Sequence, residues 1–166
     1  MKLEGIEFYN ESFGIAVGFN SRILRTTNGG ENWNLQIYPT FNDFFDIDFI
    51  TSDLIFICGD GGIYKSTNGG INWNPTTAKG DFFTSVYFTN TVTGYAAGMT
   101  GTILKTTDAG ETWKKLHSNN SLVNKNRNFT RIIFRNASVG YAVGWNGLMI
   151  KTTNGGETWT HQISNV

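Results

Sequence analysis

The 166-residue chain has little with which to staple or kink itself: one cysteine, Cys58, and two prolines, Pro39 and Pro75. A single cysteine excludes a disulfide within the chain. Its place in the apolar stretch Leu54 to Cys58 reads as a small core hydrophobe. Two prolines exclude a Pro-rich linker. Charge is scarce, at 16% of residues, and balanced, 13 acids against 13 bases. That excludes a solvated disordered tail and an attraction of the whole chain to nucleic-acid phosphate. No apolar run approaches the roughly 18 residues that mark a bilayer-spanning helix, so no membrane span is expected. No sustained 3.6-residue stripe is present, so essentially no helix is expected. The start, Met1-Lys2-Leu3-Glu4, has no apolar h-region of a secretory signal. The expectation is a cytoplasmic protein if the chain is whole, and a periplasmic or extracellular one if an upstream region carries a signal.

What the chain does have is 20 glycines and 24 aromatics, from 5 Trp, 6 Tyr and 13 Phe. That composition suits short strands and tight turns. At this length a fold hides about 70% of its unfolded surface, enough for a substantial core.

The organisation is a repeat. Four segments align: TTNGGENW (Thr26 to Trp33), STNGGINW (Ser66 to Trp73), TTDAGETW (Thr106 to Trp113) and TTNGGETW (Thr152 to Trp159). Their tryptophans are 40, 40 and 46 residues apart. With strand-like filling, that period predicts propeller blades. Each box follows a strand ending in glycine: Gly14 to Gly18, Ile55 to Gly59, Gly94 to Gly98 and Gly140 to Gly144. Before that comes an alternating strand at Ile6 to Phe8, Ile47 to Phe49, Val86 to Phe88 and Ile132 to Phe134. A third strand precedes each box and a short fourth follows each Trp, so each unit reads as four antiparallel strands, a to d. The expected fold is one all-β repeat domain, residues 1–166, with blades at about 4–39, 40–80, 81–118 and 125–163. The longer interblade loop at 117–128 absorbs the extra six residues of the last spacing.

Within a box, Asn28, Asn68, Asp108 and Asn154 are turn residues whose side-chain oxygens can accept the turn's own amides. Thr26, Ser66, Thr106 and Thr152 add a hydroxyl to the same network. Gly30, Gly70, Gly110 and Gly156 suit positive φ. Trp33, Trp73, Trp113 and Trp159 are expected in equivalent, largely buried places that anchor the c–d turn. The box offers no nucleophile, paired carboxylates or metal-ligand set, so no catalytic residue, metal or cofactor is expected from it.

These segments resemble the Asp-box, Ser-x-Asp-x-Gly-x-Thr-Trp, also called the bacterial neuraminidase repeat. The spelling TTNGG-x-TW, preceded by GYAVG and a Gly-x-Ile-x-Lys strand, is closer to the photosystem II assembly/stability factor family, over about residues 4 to 163. The resemblance implies a β-propeller binding scaffold, usually of seven blades. The sequence departs from the pattern in three ways. Asn replaces Asp in three boxes, blade 2 has Ile55-Phe56-Ile57-Cys58-Gly59 for GYAVG, and four blades are present. Four blades allow a small closed ring, an open arc or a fragment. The strong curvature of a four-blade ring favours the arc or fragment.

An enzyme reading finds few parts. A sialidase-like site would need three arginines from separate blades. Of the five present, Arg127, Arg131 and Arg135 crowd one strand region, while Arg22 and Arg25 lie in blade 1. Glycoside hydrolysis needs two carboxyl groups roughly 5–10 Å apart. Asp43, Asp46, Asp48, Asp53 and Asp60 cluster in blade 2 and read as a solvated acidic rim, with a catalytic pair as the alternative. His117 and His161 read as surface residues without a partner at metal spacing. The Asn-x-Ser/Thr sequons at Asn10, Asn119, Asn128 and Asn136 read as composition.

Charge distribution is more telling than its sum. Residues 1–83 hold ten acids and five bases, and residues 84–166 hold three acids and eight bases. The candidate binding patch is Lys125, Arg127, Arg131 and Arg135, interleaved with Phe129 and Phe134. It reads as solvated charge, as closure between acidic and basic blades, or as a site for an anionic partner. The family resemblance implies a protein partner for an Arg-rich patch. Single-stranded nucleic acid is not favoured, the chain being neutral and the patch one strand wide.

The favoured function is a non-enzymatic protein-interaction scaffold. The alternative is glycan work, either lectin-like binding or sialidase-like hydrolysis, which needs exposed aromatic platforms and convergent carboxylates or amides. The end blades should carry bare apolar faces, with Ile6, Phe8, Ile15 and Val17 at risk in the first and Ile132, Phe134, Tyr141 and Val143 in the last. On that ground the chain is expected to close on itself, to pair with another copy through its end blades, or to meet further blades; the first two routes are weakened by reversal of Arg131 and Arg135 to Glu.

Overall fold

The structure, a computed structural model, describes residues 2–40, 42–116 and 128–162. Among the described residues, sixteen strands form four four-stranded antiparallel sheets, each in simple sequential order. Blade 1 contains β1 (Leu3–Phe8), β2 (Gly14–Gly18), β3 (Arg22–Thr26) and β4 (Asn34–Ile37). Blade 2 contains β5 (Phe44–Phe49), β6 (Ile55–Gly59), β7 (Gly62–Ser66) and β8 (Asn74–Lys79). Blade 3 contains β9 (Phe83–Phe88), β10 (Gly94–Gly98), β11 (Ile103–Thr106) and β12 (Lys114–Lys115). Blade 4 contains β13 (Phe129–Phe134), β14 (Gly140–Gly144), β15 (Met149–Thr152) and β16 (Thr160–His161). The helical content is two three-residue 3-10 turns, Met99–Gly101 and Trp145–Gly147, among the described residues. No helix there is long and apolar enough to cross a membrane.

The chain divides into two compact units, Met1–Phe82 and Phe83–Val166, each holding two blades. The divide coincides with the change of charge sign, since Phe83 is neutral. In every blade the first strand carries a one-residue register slip, at Leu3/Gly5, Phe44/Asp46, Phe83/Ser85 and Phe129/Arg131. Such bulges increase local twist, as stacked blades require.

Strand alternation assigns each side chain to one of two faces. In the first unit, Ile15, Val17 and Ile23 of blade 1 pack on Phe44, Ile47, Ile55, Ile57, Tyr64 and Trp73 of blade 2. In the second, Tyr95, Ala97 and Ile103 of blade 3 pack on Ile132, Phe134, Ala142, Ile150 and Trp159 of blade 4. Ile15, Val17, Ile132 and Phe134 are therefore buried, contrary to the expectation that they were at risk, because they occupy the face that meets the neighbour in their own unit. On the opposite face of blade 1, Ile6 is 62% exposed, Phe8 and Leu35 are exposed and Leu24 is half-buried. On the far face of blade 4, Ile133 and Met149 are exposed and Tyr141 and Val143 half-buried.

Candidate functional site

All four boxes make one hydrogen-bond network. In blade 1 the Thr26 hydroxyl donates to Asn28 Oδ1 at 2.9 Å and accepts the Gly30 amide at 3.0 Å, while Asn28 Oδ1 accepts the Asn32 amide at 3.0 Å. The same bonds recur from Ser66, Asn68, Gly70 and Asn72, from Thr106, Asp108, Gly110 and Thr112, and from Thr152, Asn154, Gly156 and Thr158. A further amide ties each box to the a–b turn of its own blade: Gly29 to Ser12 O, Gly69 to Asp53 O, Ala109 to Val92 O and Gly155 to Ser138 O. These four residues have φ between 55° and 71°, the left-handed region that favours glycine. Ala109 is the exception in residue type. Asn replaces Asp at no loss of this network, because the bond that closes the turn needs only one acceptor oxygen.

Asp108 differs in charge. Its second oxygen accepts the Thr112 hydroxyl at 2.5 Å, and the Thr112 side chain, then the Thr112 amide and the Thr106 hydroxyl, hold its pKa down at about 2 against an ordinary 3.8. Hydrogen bonds to the ionised form act in this direction. A depressed folded value means that the stabilisation is complete above the ordinary value and is lost as pH falls through about 2. An NMR titration should place the Asp108 midpoint near 2. Asp108→Asn should remove this acid dependence yet keep the fold at neutral pH, as in the other three boxes. A midpoint near 4 would refute the assignment.

The tryptophans hold equivalent positions, and in blades 1, 3 and 4 an edge-on Phe meets the Trp: Phe8 and Trp33 at 5.9 Å, Phe88 and Trp113 at 5.9 Å, Phe134 and Trp159 at 6.1 Å. Their burial is not equivalent. Trp73 and Trp159 are 6% and 2% exposed, whereas Trp33 and Trp113 are half-buried. Trp73 and Trp159 lie on the face that meets the earlier blade of their own unit, whereas blades 1 and 3 are the first blades of theirs.

The box is also half of a blade-to-blade joint. In the first unit, Arg25 Nε on β3 donates to Gly69 O in the box of blade 2 at 2.8 Å, with its guanidinium 4.7 Å from the Phe13 ring. In the second, Lys105 Nζ on β11 and the Tyr95 hydroxyl on β10 both donate to Gly155 O at 2.9 Å. Tyr95 also stacks on Phe134 at 3.9 Å, and burial pushes its pKa up to about 12, which keeps it a donor. Nearer the first strands, Glu7 Oε2 accepts the Phe49 amide at 3.0 Å, and the Tyr87 hydroxyl donates to Phe134 O at 2.9 Å.

The candidate patch is only partly assembled. Arg131 lies on β13 and Arg135 in the turn after it, both exposed. Arg135 has left the strand, so the two do not share a strand face. Lys125 and Arg127 lie outside the described residues, as do His117 and Asn119. Phe129 and Phe134 are core residues, so they offer no stacking platform for bases. The acidic cluster is not a solvated rim throughout. Asp46 is only 5% exposed, because it lies mid-strand on β5 opposite Cys58. Asp43 Oδ1 accepts the Asn20 amide, and Asp60 Oδ1 accepts the Asp43 amide. Among the described residues no group of three or more His, Cys, Asp and Glu could hold a metal ion. His161 is exposed on β16 and Cys58 is buried. Asn10 and Asn136 each close an a–b turn by accepting two amides. Asn128 accepts the Thr100 amide at 3.0 Å. Three of the four sequons are thus turn or joint chemistry. Sequence reasoning missed a groove of about 660 Å³ in the first unit, where Gln36 and Tyr38 meet Ile71, Asn72, Trp73 and Asn74. No local motif signals it, since it forms between β4 and the next blade's box.

The family model described as photosynthesis system II assembly factor YCF48 matches residues 34–125 and, in a second overlapping match, 78–165. The chain belongs to this family. No curated protein matches it by sequence. Among solved structures it is similar to YCF48 from Cyanidioschyzon merolae, with a TM-score of 0.74 and 18% identity over 99% of this chain and 56% of that one. It is also similar to an ancestral GH74 enzyme, at 0.82 and 18% over 99% and 24%. A third likeness is to a structure of YCF48 bound to D1 peptide, at 0.62 and 14% over 97% and 82%. At these identities the likeness shows the β-propeller fold. The chain spans about a quarter of the GH74 enzyme and about half of the Cyanidioschyzon protein.

Proposed function

We propose that the chain is a non-enzymatic scaffold that holds an acidic segment of a partner protein at the basic edge of blade 4. The observation that carries this reading is the exposure of Arg131 and Arg135 together on the half of the chain with three acids and eight bases. Membership of the YCF48 family supports it, as does the peptide complex of that similar propeller. Charge complementarity at such an edge steers encounter and selects partners. Its strength falls as salt screens the surface.

An array of short acidic and neutral peptides, read by fluorescence anisotropy, tests the reading. Acidic peptides should bind in low salt, and Arg135→Glu should weaken them about tenfold or more. Equal binding of neutral and acidic peptides, or no effect of Arg135→Glu, would overturn it.

A second reading, glycan binding, is favoured by the groove in the first unit, which gathers the amides of Gln36, Asn72 and Asn74 beside Tyr38. Trp73 there is too buried to serve as a stacking platform. The GH74 likeness fits this alternative. A glycan array run beside a panel of chromogenic glycosides separates the readings. The scaffold reading expects no hydrolysis. Turnover that is lost on mutating an acid such as Asp48 would replace it.

A further inference from the structure

The joint within each unit defines what one blade presents to the next. The trailing blade offers a donor half, with a cation on its third strand directed at a box carbonyl: Arg25 toward Gly69 O, and Lys105 with Tyr95 toward Gly155 O. The leading side of the next blade offers the acceptor half, made of that carbonyl, the strand-a Phe and the box Trp. The far face of blade 4 carries another donor half. Tyr141 pairs with Lys151 across β14 and β15 in the register by which Tyr95 pairs with Lys105 across β10 and β11. Lys151 Nζ stands 5.7 Å from the Tyr141 ring, as Lys105 Nζ stands 5.5 Å from that of Tyr95. Ile133 and Met149 flank this pair, exposed. The leading face of blade 1 carries another acceptor half: the exposed Gly29, which corresponds to Gly69 and Gly155, with Phe8, Trp33 and the exposed Ile6 and Leu35.

We infer that these two faces are the halves of one more joint, made between copies of this chain, with blade 4 of one copy docking head-to-tail on blade 1 of the next. A second copy is the occupant favoured by charge, because the acceptor half lies on residues 1–83, with ten acids and five bases, and the donor half on residues 84–166, with three and eight. Both faces are apolar and open, a combination that soluble monomers seldom leave bare. A head-to-tail contact of this kind repeats until it closes. In the assembled joint, Lys151 Nζ and the Tyr141 hydroxyl donate to Gly29 O of the other copy, and the Ile6, Phe8 and Trp33 side chains seat on Ile133, Val143 and Met149. This inference is independent of the partner at Arg135. Arg131 borders both surfaces, so the test avoids it.

Light scattering on the full chain across a concentration series should give a mass at least twice the 18.5 kDa of one chain. Lys151→Glu blocks every donor half and Ile6→Glu every acceptor half, so each variant alone should be a monomer. Mixed, the two should form a one-to-one dimer, because each retains the half that the other lost. Lys151→Arg should keep the wild-type mass, as Arg25 does the same work in blade 1. Unchanged circular dichroism of the variants, each with a single cooperative melting transition, serves as the folding control. A wild-type monomer at all concentrations overturns the inference, and so does failure of the mixture to pair. Peptide binding at Arg135 would be unaffected by either variant, so the two proposals fail separately.

Discussion

Trp159→Ala is expected to destabilise the protein by about 3–5 kcal/mol, the range for deleting a large buried aromatic, and Trp33→Ala by clearly less. Trp159 sits in the core of the second unit, edge-on to Phe134 and packed with Tyr95 and Ile150. Its indole Nε1 has no hydrogen-bond partner among the described residues, so its removal strands no polar group there, and the loss is one of packing and transfer. Trp33 meets Phe8 in the same edge-on way but is half-buried, with no earlier blade in its own unit. The comparison belongs in the Lys151→Glu background, where the inferred joint is disabled and the leading face of blade 1 is bare. Urea unfolding followed by circular dichroism gives both values. Equal losses at the two sites would show that the box tryptophans anchor their turns independently of the neighbouring blade.

Much of this architecture is legible in the sequence because each blade spells out its own local chemistry. A hydroxyl at Thr152, an acceptor at Asn154 and a positive-φ glycine at Gly156 need only one another to close a turn, so reading four copies predicts four turns. Alternation along Ile132 to Phe134 likewise predicts that one face of β13 is core. Which face is covered, and by what, depends on neighbours that no single segment records. That is why Ile15 and Phe134 are buried while Ile6 is open, and why Trp33 and Trp159 differ. Asp46 reads as a rim residue from its acidic company, yet its mid-strand place opposite Cys58 buries it. The pairing of Tyr141 with Lys151 carries no visible signal until Tyr95 and Lys105 are seen converging on one carbonyl. Half of the basic patch, Lys125 and Arg127, falls outside the described residues, so only Arg131 and Arg135 could be placed.

Gly59→Ala is expected to destabilise by about 1–3 kcal/mol or more, as overpacking against fixed atoms does, whereas Gly14→Ala should fall below about 1 kcal/mol, by analogy with tolerated core swaps. Each glycine lies on the second strand of its blade, one at the end and one at the start. A Cβ on Gly59 would stand 2.1 Å from Asp43 O, a backbone atom at the start of the first strand. Gly18 and Gly144 meet Lys2 O and Asn128 O at 2.2 and 2.1 Å in the same way, so this close approach recurs in three blades and cannot be relieved by a rotamer change. A Cβ on Gly14 would instead meet the Phe8 ring at 2.7 Å, and in the Lys151→Glu background, where the inferred joint is disabled, Phe8 is exposed and able to turn away. Blade 2 already contains this outcome. Ile55 replaces the first glycine there, and its partner Phe49 packs edge-on against Phe13 at 5.2 Å. Gly14→Ala should therefore swing Phe8 off Trp33 and shift the Trp33 indole N–H resonance as the ring-current contribution is lost, with little change in unfolding midpoint. A large stability loss at Gly14, or an unchanged Trp33 resonance, would show that Phe8 cannot take the course that Phe49 takes, and that the Ile55 blade is a special case rather than a guide to the others.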